Sequence, residues 1–316
     1  MNIAGVRLFL EVADAGSLSK VATRRATAQS HISRQITDFE TQCGGRLFHR
    51  TGRGVALTEF GSRLVPQLRL WLHETEQLMQ EMRASAGALL GTVRLGIIPS
   101  AAHPLVTRLF SELQTRHPGI RLSIVEAQGI ELDVLLDTGA VDLAVLFRFA
   151  PPRGQDEVLL CSADTYLVGA SGDRLTGAPM VSFDMLEGLR LVLPRAPSPW
   201  REALDEAARS LGFKLQVVAE ADSLSVQKQL VAHNLGLHSV LGPYSMHAEL
   251  SRGELQASRL VNPDLHRHVA LAYPRHGKLS AASREVADIL QKLVKSWGDK
   301  LNEPFAPARL QTRTEA

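Results

Sequence analysis

Gln29, Ser30, His31, Ser33, Arg34 and Thr37 crowd hydrogen-bonding groups into nine residues. Side chains of these types read base edges in a major groove, where arginine suits guanine and glutamine suits adenine. The same stretch carries Ile32, Ile36, Phe39 and Cys43 at spacings of four, three and four. That period places one apolar stripe on one helix face and leaves the polar residues on the other, with Ser30, Arg34 and Thr37 near its centre. Arg50 and Arg53 follow in Leu47-Phe48-His49-Arg50-Thr51-Gly52-Arg53-Gly54-Val55-Ala56-Leu57-Thr58. Gly52 and Gly54 suit a tight turn between two short strands, a wing whose arginines face phosphates. For Arg50, packing within its own domain is the competing reading.

Elements that position this face precede it. Val6, Phe9, Leu10 and Ala13 line a first helix, and Leu18, Val21 and Ala22 line a second, with Ser17 at its N-cap position and counted among the DNA contacts. Helix, turn and recognition helix then form a helix-turn-helix with double-stranded DNA as its first partner. Residues 1–60 hold eight Lys or Arg against five Asp or Glu, and the whole chain carries only +2. Specificity therefore has to come from placement and from two copies acting together.

A second pattern starts at Thr58. Leu64, Leu68, Trp71, Thr75, Leu78 and Met82 alternate four and three residues apart through one long helix. This is an a/d seam for a second chain, flanked by Arg69, Glu74, Glu76, Gln77 and Glu81. Pro66 inside the helix and Thr75 in the seam speak for the alternative, an internal core. Gly87 and Gly91 bracket the helix end and suggest a hinge. Linking two modest DNA modules raises their joint affinity through effective concentration.

From Thr92 onward strands and helices alternate: strand 93–98, helix 100–116, strand 121–126, helix 131–138 and strand 141–147. A second lobe opens near Ala163 with strands 166–169 and 190–193, helix 200–212, strand 215–219 and helix 224–233. The chain returns to the first lobe with strand 268–273 and helix 280–295. The first of these lobes reads as α/β with a mostly parallel sheet. Residues 301–316 lack periodicity and read as a loose tail.

Gly16-Ser17, Gln29, Ser33-Arg34-Gln35-Ile36, Glu40, Gly44, Leu47-Phe48, Arg50, Thr58 and Gly61 resemble the N-terminal pattern of LysR-type transcriptional regulators. Val93-Arg94-Leu95-Gly96, His117-Pro118-Gly119-Ile120, 138–145, Asp222-Ser223 and Leu235-Gly236-Leu237 extend the resemblance over nearly the whole chain. It implies an α/β fold class with an N-terminal all-α winged helix-turn-helix (1–60) and a long linker and dimerisation helix with hinge (61–91). A two-lobed periplasmic-binding-protein-like effector domain (92–300) follows, lobe 1 being 92–162 with 268–300 and lobe 2 being 163–267. It further implies a homodimer, a dimer of dimers, RNA polymerase as a further partner and a small-molecule effector between the lobes. Arg25, Thr27 and Ala28 depart from the pattern. Arg25 falls on the apolar stripe and must snorkel or find a partner, while Thr27 offers a cap one residue early.

By position the cleft is lined by Ser100, Ala101, Gln128, Phe147 and Arg148 from lobe 1. Ser198, Trp200, Ser223, Leu241 and Gly242 come from lobe 2. Ser100 precedes a helix, where hydroxyl and free N–H groups hold an anion, or it acts as a cap alone. Arg148 grips an acidic effector or pairs with a nearby carboxylate. Trp200 stacks on an effector or anchors its helix. An organic anion is the expected effector.

Other classes lack their signatures. Ser100 and His103 invite a hydrolase reading, but no Gly-x-Ser-x-Gly elbow or phosphate loop accompanies them. His266 and His268 have no companion at metal spacing, so neither metal nor cofactor is expected. Cys43 and Cys161 are too few for a disulfide framework and read as reduced, structural thiols. A solute-binding protein needs export, whereas the N-terminus has no charged segment followed by an apolar run, and no stretch of about 18 apolar residues occurs. The expectation is a cytoplasmic protein with no membrane partner, a constitutive DNA-binding protein being the alternative if the cleft is filled.

Overall fold

A computed structural model describes residues 2–52, 54–84, 89–152, 154, 156–233, 235–275 and 278–301. Arg53, Gly87 of the expected hinge and tail residues 302–316 lie outside them. Three helices open the chain, α1 (Ile3–Ala15), α2 (Leu18–Arg24) and α3 (Gln29–Cys43). An antiparallel hairpin, β1 (Phe48–Thr51) and β2 (Gly54–Leu57), follows with Phe48 opposite Leu57. Val6, Phe9, Val21, Ile32, Ile36, Phe39 and Leu47 form the core of this domain. Ser17 caps α2 by accepting from the Lys20 N–H. The expected cap at Thr27 is corrected: α3 starts after Ala28, which offers no side-chain cap, so packing holds this helix more than capping does. Arg25 finds its partner in Glu11, donating through Nε and Nη2 at 2.8 and 2.7 Å.

The wing folds back onto the domain through close backbone approaches. Gly54 has φ near +143°, and a Cβ there would lie 2.3 Å from the Gly16 carbonyl oxygen. A Cβ at Gly61 would lie 2.3 Å from the carbonyl oxygen of Leu47, so only glycine lets the next helix, α4 (Glu59–Ala84), begin there. Thr58 ties this corner, donating to the Arg46 carbonyl and accepting from the Gly61 N–H.

The first α/β lobe contains β3 (Gly91–Ile97), α5 (Pro99–Arg116), β4 (Ile120–Glu126), α6 (Gly129–Asp137), β5 (Leu143–Arg148) and β6 (Glu157–Ala163). The second contains β7 (Tyr166–Ala170), β8 (Met180–Ser182), β9 (Arg190–Leu193), α7 (Pro199–Ser210), β10 (Gln216–Glu220), α8 (Leu224–Ala232), β11 (Ser239–Leu241), α9 (His247–Ser251) and β12 (Leu255–Val261). The chain then returns through β13 (Arg267–Ala272) and α10 (Ala281–Leu301), so Leu301, expected in the tail, belongs to that helix.

Lobe 1 has the strand order β4-β3-β5-β13-β6, with β4, β3 and β5 parallel and β13 antiparallel to both its neighbours. Lobe 2 has a four-stranded sheet β11-β7-β12-β8 and a parallel β9–β10 pair, joined by a bridge between Leu191 and His238. Two segments cross between the lobes and are tied to each other. Thr165 donates from Oγ1 to the Leu265 carbonyl at 2.7 Å, and its own carbonyl accepts from the Leu260 N–H.

Candidate functional site: DNA-reading face and inter-lobe cleft

On α3 the buried face is Ile32, Ile36 and Phe39, and the opposite side presents Gln29, Ser30, His31, Arg34 and Thr37 to solvent. Ser33 is half-buried. Thr37 donates to the Ser33 carbonyl, leaving its oxygen able to accept. Arg50 is exposed on β1, as a wing arginine facing phosphate requires. Ser17 is largely buried, its hydroxyl bonded to Ser19 Oγ and the Lys20 N–H, so its part is to fix α2. Glu40 braces the wing from α3, accepting the N–H groups of Leu47 and Phe48 at 2.7 and 3.0 Å.

The seam on α4 divides in two. Leu68 is buried, and Leu64 and Trp71 pack with it against the winged core of their own chain. Leu68 is thereby taken up by its own chain, while Leu64 and Trp71 stay half-buried and keep surface open. Thr75 is half-buried and donates to the Trp71 carbonyl. Leu78 and Met82 are 58% and 70% exposed, and Met79 stands beside them at 41%.

Between these halves α4 joins the DNA-reading domain to lobe 1. Glu76 accepts from Arg7 of α1 and from Arg94 of β3, at 2.9 and 2.8 Å. Buried His73 lies 3.1 Å from Asp142 Oδ1, and Asp142 Oδ2 accepts the Arg94 N–H at 2.6 Å. Arg94 Nη1 donates to His73 Nδ1 at 3.0 Å, and Gln77 Nε2 lies 2.7 Å from His73 Nε2. Burial lowers the His73 pKa and Arg94 pushes the same way, while Asp142 opposes; burial raises the Asp142 carboxyl. Because the fold takes up His73's proton less readily than the unfolded chain, stability falls as pH drops below about 6.5 towards the lowered folded value. The expected slope is at most about 1.4 kcal/mol per pH unit. Denaturant unfolding between about pH 7.5 and 5.5, a window that brackets the ordinary histidine value, should show this loss, and His73→Gln should flatten it. An unchanged slope in the variant assigns the loss to other groups.

A cavity of about 350 Å³ separates the lobes. From lobe 1 it is lined by Ser100, Gln128 and Phe147, and from lobe 2 by Ser198, Trp200, Leu241 and Gly242. Ala101 and Ser223 are not in its wall, though their neighbours Ser100, Asp222 and Leu224 are. Ser198 and Ser223 cap α7 and α8, accepting the N–H groups of Arg201 and Val226. Ser100 sits in the first turn of α5, whose N-cap Ile98 supplies no side-chain acceptor. Trp200 stacks on Phe149 across the cleft at 6.0 Å and 4°, and its indole N–H points to the Val240 carbonyl at 3.4 Å.

Arg148 does not line this cavity. Its guanidinium donates to both oxygens of Asp133 at 3.0 and 2.6 Å and to Glu157 at 2.5 to 3.2 Å. Asp133 above all, then Glu157, raises its pKa against the effect of burial. The reading of Arg148 as the cleft's cation therefore gives way to that of a structural ion pair. The buried cation in the wall is Arg267, at the start of β13. It is 6% exposed, with its guanidinium 3.8 Å from the Trp200 ring centroid and 5.2 Å from that of Phe147. Its Nε and Nη2 have no hydrogen-bond partner among the described residues.

Residues 3–62 match the bacterial regulatory helix-turn-helix protein, lysR family, and residues 86–295 match the LysR substrate binding domain. The chain belongs to the LysR family. Among curated members, this LysR-type regulator is 27% identical over 295 residues to the nitrogen assimilation regulatory protein nac of Klebsiella aerogenes, covering 93% of this chain and 95% of that protein. It is also 27% identical over 294 residues to the probable hydrogen peroxide-inducible genes activator of Mycobacterium leprae, covering 93% and 94%. Its fold matches a full-length OxyR variant from Pseudomonas aeruginosa with a TM-score of 0.70 at 20% identity, covering 93% and 95%. Full-length CbnR in complex with its target DNA matches with 0.67 at 18% identity, covering 92% and 99%. A helix-turn-helix domain followed by a two-lobed substrate-binding domain is thus the architecture of this LysR-family chain.

Sequence reasoning overlooked Arg267. The LysR-type chain carries it between His266 and His268, residues weighed for metal, which instead contact Asp164 at 3.2 Å and Ser162 at 2.9 Å. The usable signal was an arginine opening an apolar strand, Val269-Ala270-Leu271-Ala272, at the second crossing between lobes. The side chain of His103, weighed with Ser100 as a catalytic pair, lies outside the described residues.

Proposed function

We propose that this transcriptional regulator reads promoter DNA with α3, using Gln29, Ser30, His31, Ser33, Arg34 and Thr37. Arg50 and Arg53 of the wing contact phosphate. Two copies pair through the exposed end of α4, and a small organic anion in the inter-lobe cleft alters how the paired DNA-reading domains are held. The functional division is 1–60, 61–91 and 92–300, and the protein works in the cytoplasm; among the described residues no helix is long and apolar enough to cross a membrane. The observation that carries the reading is α3 itself, whose buried face is fully packed while Gln29, Ser30, His31 and Arg34 stand together in solvent.

The cleft supports the effector half of the proposal. Its volume is within the range of small-molecule sites, and its walls come from two lobes joined by two tied crossings. An effector shifts the regulator only as far as it binds the two lobe arrangements with different affinity.

Arg34→Ala tests the DNA reading. It should weaken specific binding by about 1 to 3 kcal/mol and leave affinity for random duplex nearly intact. Titrations of both duplexes at fixed salt decide it, because equal losses would make Arg34 a phosphate contact and remove it from base reading.

A further inference from the structure

We infer that Arg267 selects the cleft's ligand, and that this ligand is a small monocarboxylate with a flat or ring-shaped apolar body. The inference rests on the effector reading above and narrows it to one charge and one shape. Burying a guanidinium is costly unless hydrogen bonds and an opposite charge compensate. Arg267 has rings in place of that charge. Trp200 and Phe147 lie against the guanidinium, at 3.8 and 5.2 Å from Cζ to their centroids. Gly242 of lobe 2 also comes close, and a Cβ there would meet Cζ at 3.6 Å.

With rings against the guanidinium, recognition is left to its edge. The two nitrogens without partners among the described residues, Nε and Nη2, form one edge, and their N–H bonds run parallel. That edge is closed to solvent in this structure, and once the lobes part enough to admit a ligand it fits the two oxygens of one carboxylate in a bidentate pair. Burial alone sets the proton affinity of Arg267, with no carboxylate raising it, and brings the pKa down to about 9. The side chain is therefore still a cation at neutral pH and lacks a counter-charge among the described residues.

The remaining wall sets the ligand's body. Ile98, Phe147, Phe149, Leu224, Val240 and Leu241 make it chiefly apolar. The other arginine in the wall, Arg195, has a side chain 70% exposed and faces Asp222 at 3.8 Å. A second carboxylate on the ligand would find, among the described residues of the wall, only Arg195, largely exposed and already facing Asp222. Ser100 and Gln128 remain to orient the body by single hydrogen bonds.

Calorimetry on the full chain tests this with phenylacetate, cyclohexanecarboxylate and the neutral isostere phenylacetamide. A monocarboxylate should bind once per chain and at least tenfold more tightly than phenylacetamide. Arg267→Met should abolish that preference, and Arg267→Lys, which keeps the charge without the fork, should retain part of it. Thermal unfolding checks that each variant is folded, and Arg267→Lys carries the test if Arg267→Met is not. Equal binding of phenylacetate and phenylacetamide, or undiminished phenylacetate binding in a folded Arg267 variant, overturns the role of Arg267. Failure of both carboxylates to bind overturns the ligand class. The cleft reading fails separately: if Gln128→Trp, which fills the cavity, leaves probe binding unchanged, the probes sit elsewhere and both readings fall.

Discussion

Replacing Leu78 and Met82 together with lysine is expected to convert the full-length protein to monomers and to lower operator affinity about a hundredfold. The two side chains are 58% and 70% exposed and, with Met79, form an apolar row at the end of α4. An apolar row left exposed in this way marks a protein contact, and ammonium groups placed there lose hydration on pairing without gaining a partner. Leu68 serves a different purpose. It is buried against the winged core, so Leu68→Lys would report on folding of the DNA-reading domain. Sedimentation velocity and operator titration of the Leu78→Lys/Met82→Lys protein check the prediction. Wild-type assembly in the variant would remove α4 as the pairing element, and monomers that still bind the operator tightly would remove pairing as the source of affinity.

The helix-turn-helix was legible because its apolar residues recur with the helical period and its polar residues occupy the remaining face. Ile32, Ile36 and Phe39 needed no tertiary information to be placed inside. The lobes were legible through the same logic, since β3, β5 and β9 are short apolar runs next to amphipathic helices. Strands β6, β8 and β12 were not read. β6 is an edge strand whose run Val158-Leu159-Leu160-Cys161 does not alternate, β8 has three residues, and β12 interleaves Gln256, Ser258 and Arg259 with apolar residues. Pairing across the sheet defines these strands more than their own pattern does.

Within the cleft, Ser100 and Gln128, which follow strands, and Leu241, which ends one, stand in the wall. The fate of a charged side chain there depends on partners distant in sequence. Arg148 meets Asp133 and Glu157, fifteen and nine residues away, whereas the guanidinium of Arg267 lies against aromatic rings. No local pattern separates these two arginines. The a/d spacing of α4 was likewise blind to the choice between a second chain and the wing, because Leu64, Leu68 and Trp71 satisfy either.

Phe39→Ala should cost the DNA-reading domain about 3 to 5 kcal/mol, the usual range for emptying a buried phenylalanine site. Phe39 is 2% exposed and packs on Phe9 with ring centroids 5.8 Å apart. Its ring also reaches α1 where Gly5 admits it, since a Cβ at Gly5 would lie 2.9 Å from Cδ2. Little else compensates. The N-cap of α3 makes no side-chain hydrogen bond, and Thr37 and Thr41 spend their hydroxyls on carbonyls of the same helix. A domain of this size has only about 5 to 15 kcal/mol to lose, so the recognition helix should lose its fixed orientation well before the lobes unfold. Specific and random duplex should then be lost together, in contrast to Arg34→Ala, which spares the random duplex. Differential scanning calorimetry should show a transition for the winged domain moved down and the transition of the effector lobes unmoved. A single transition that shifts as a whole would show instead that Glu76 and the His73–Asp142 contact make the winged domain and lobe 1 one cooperative unit.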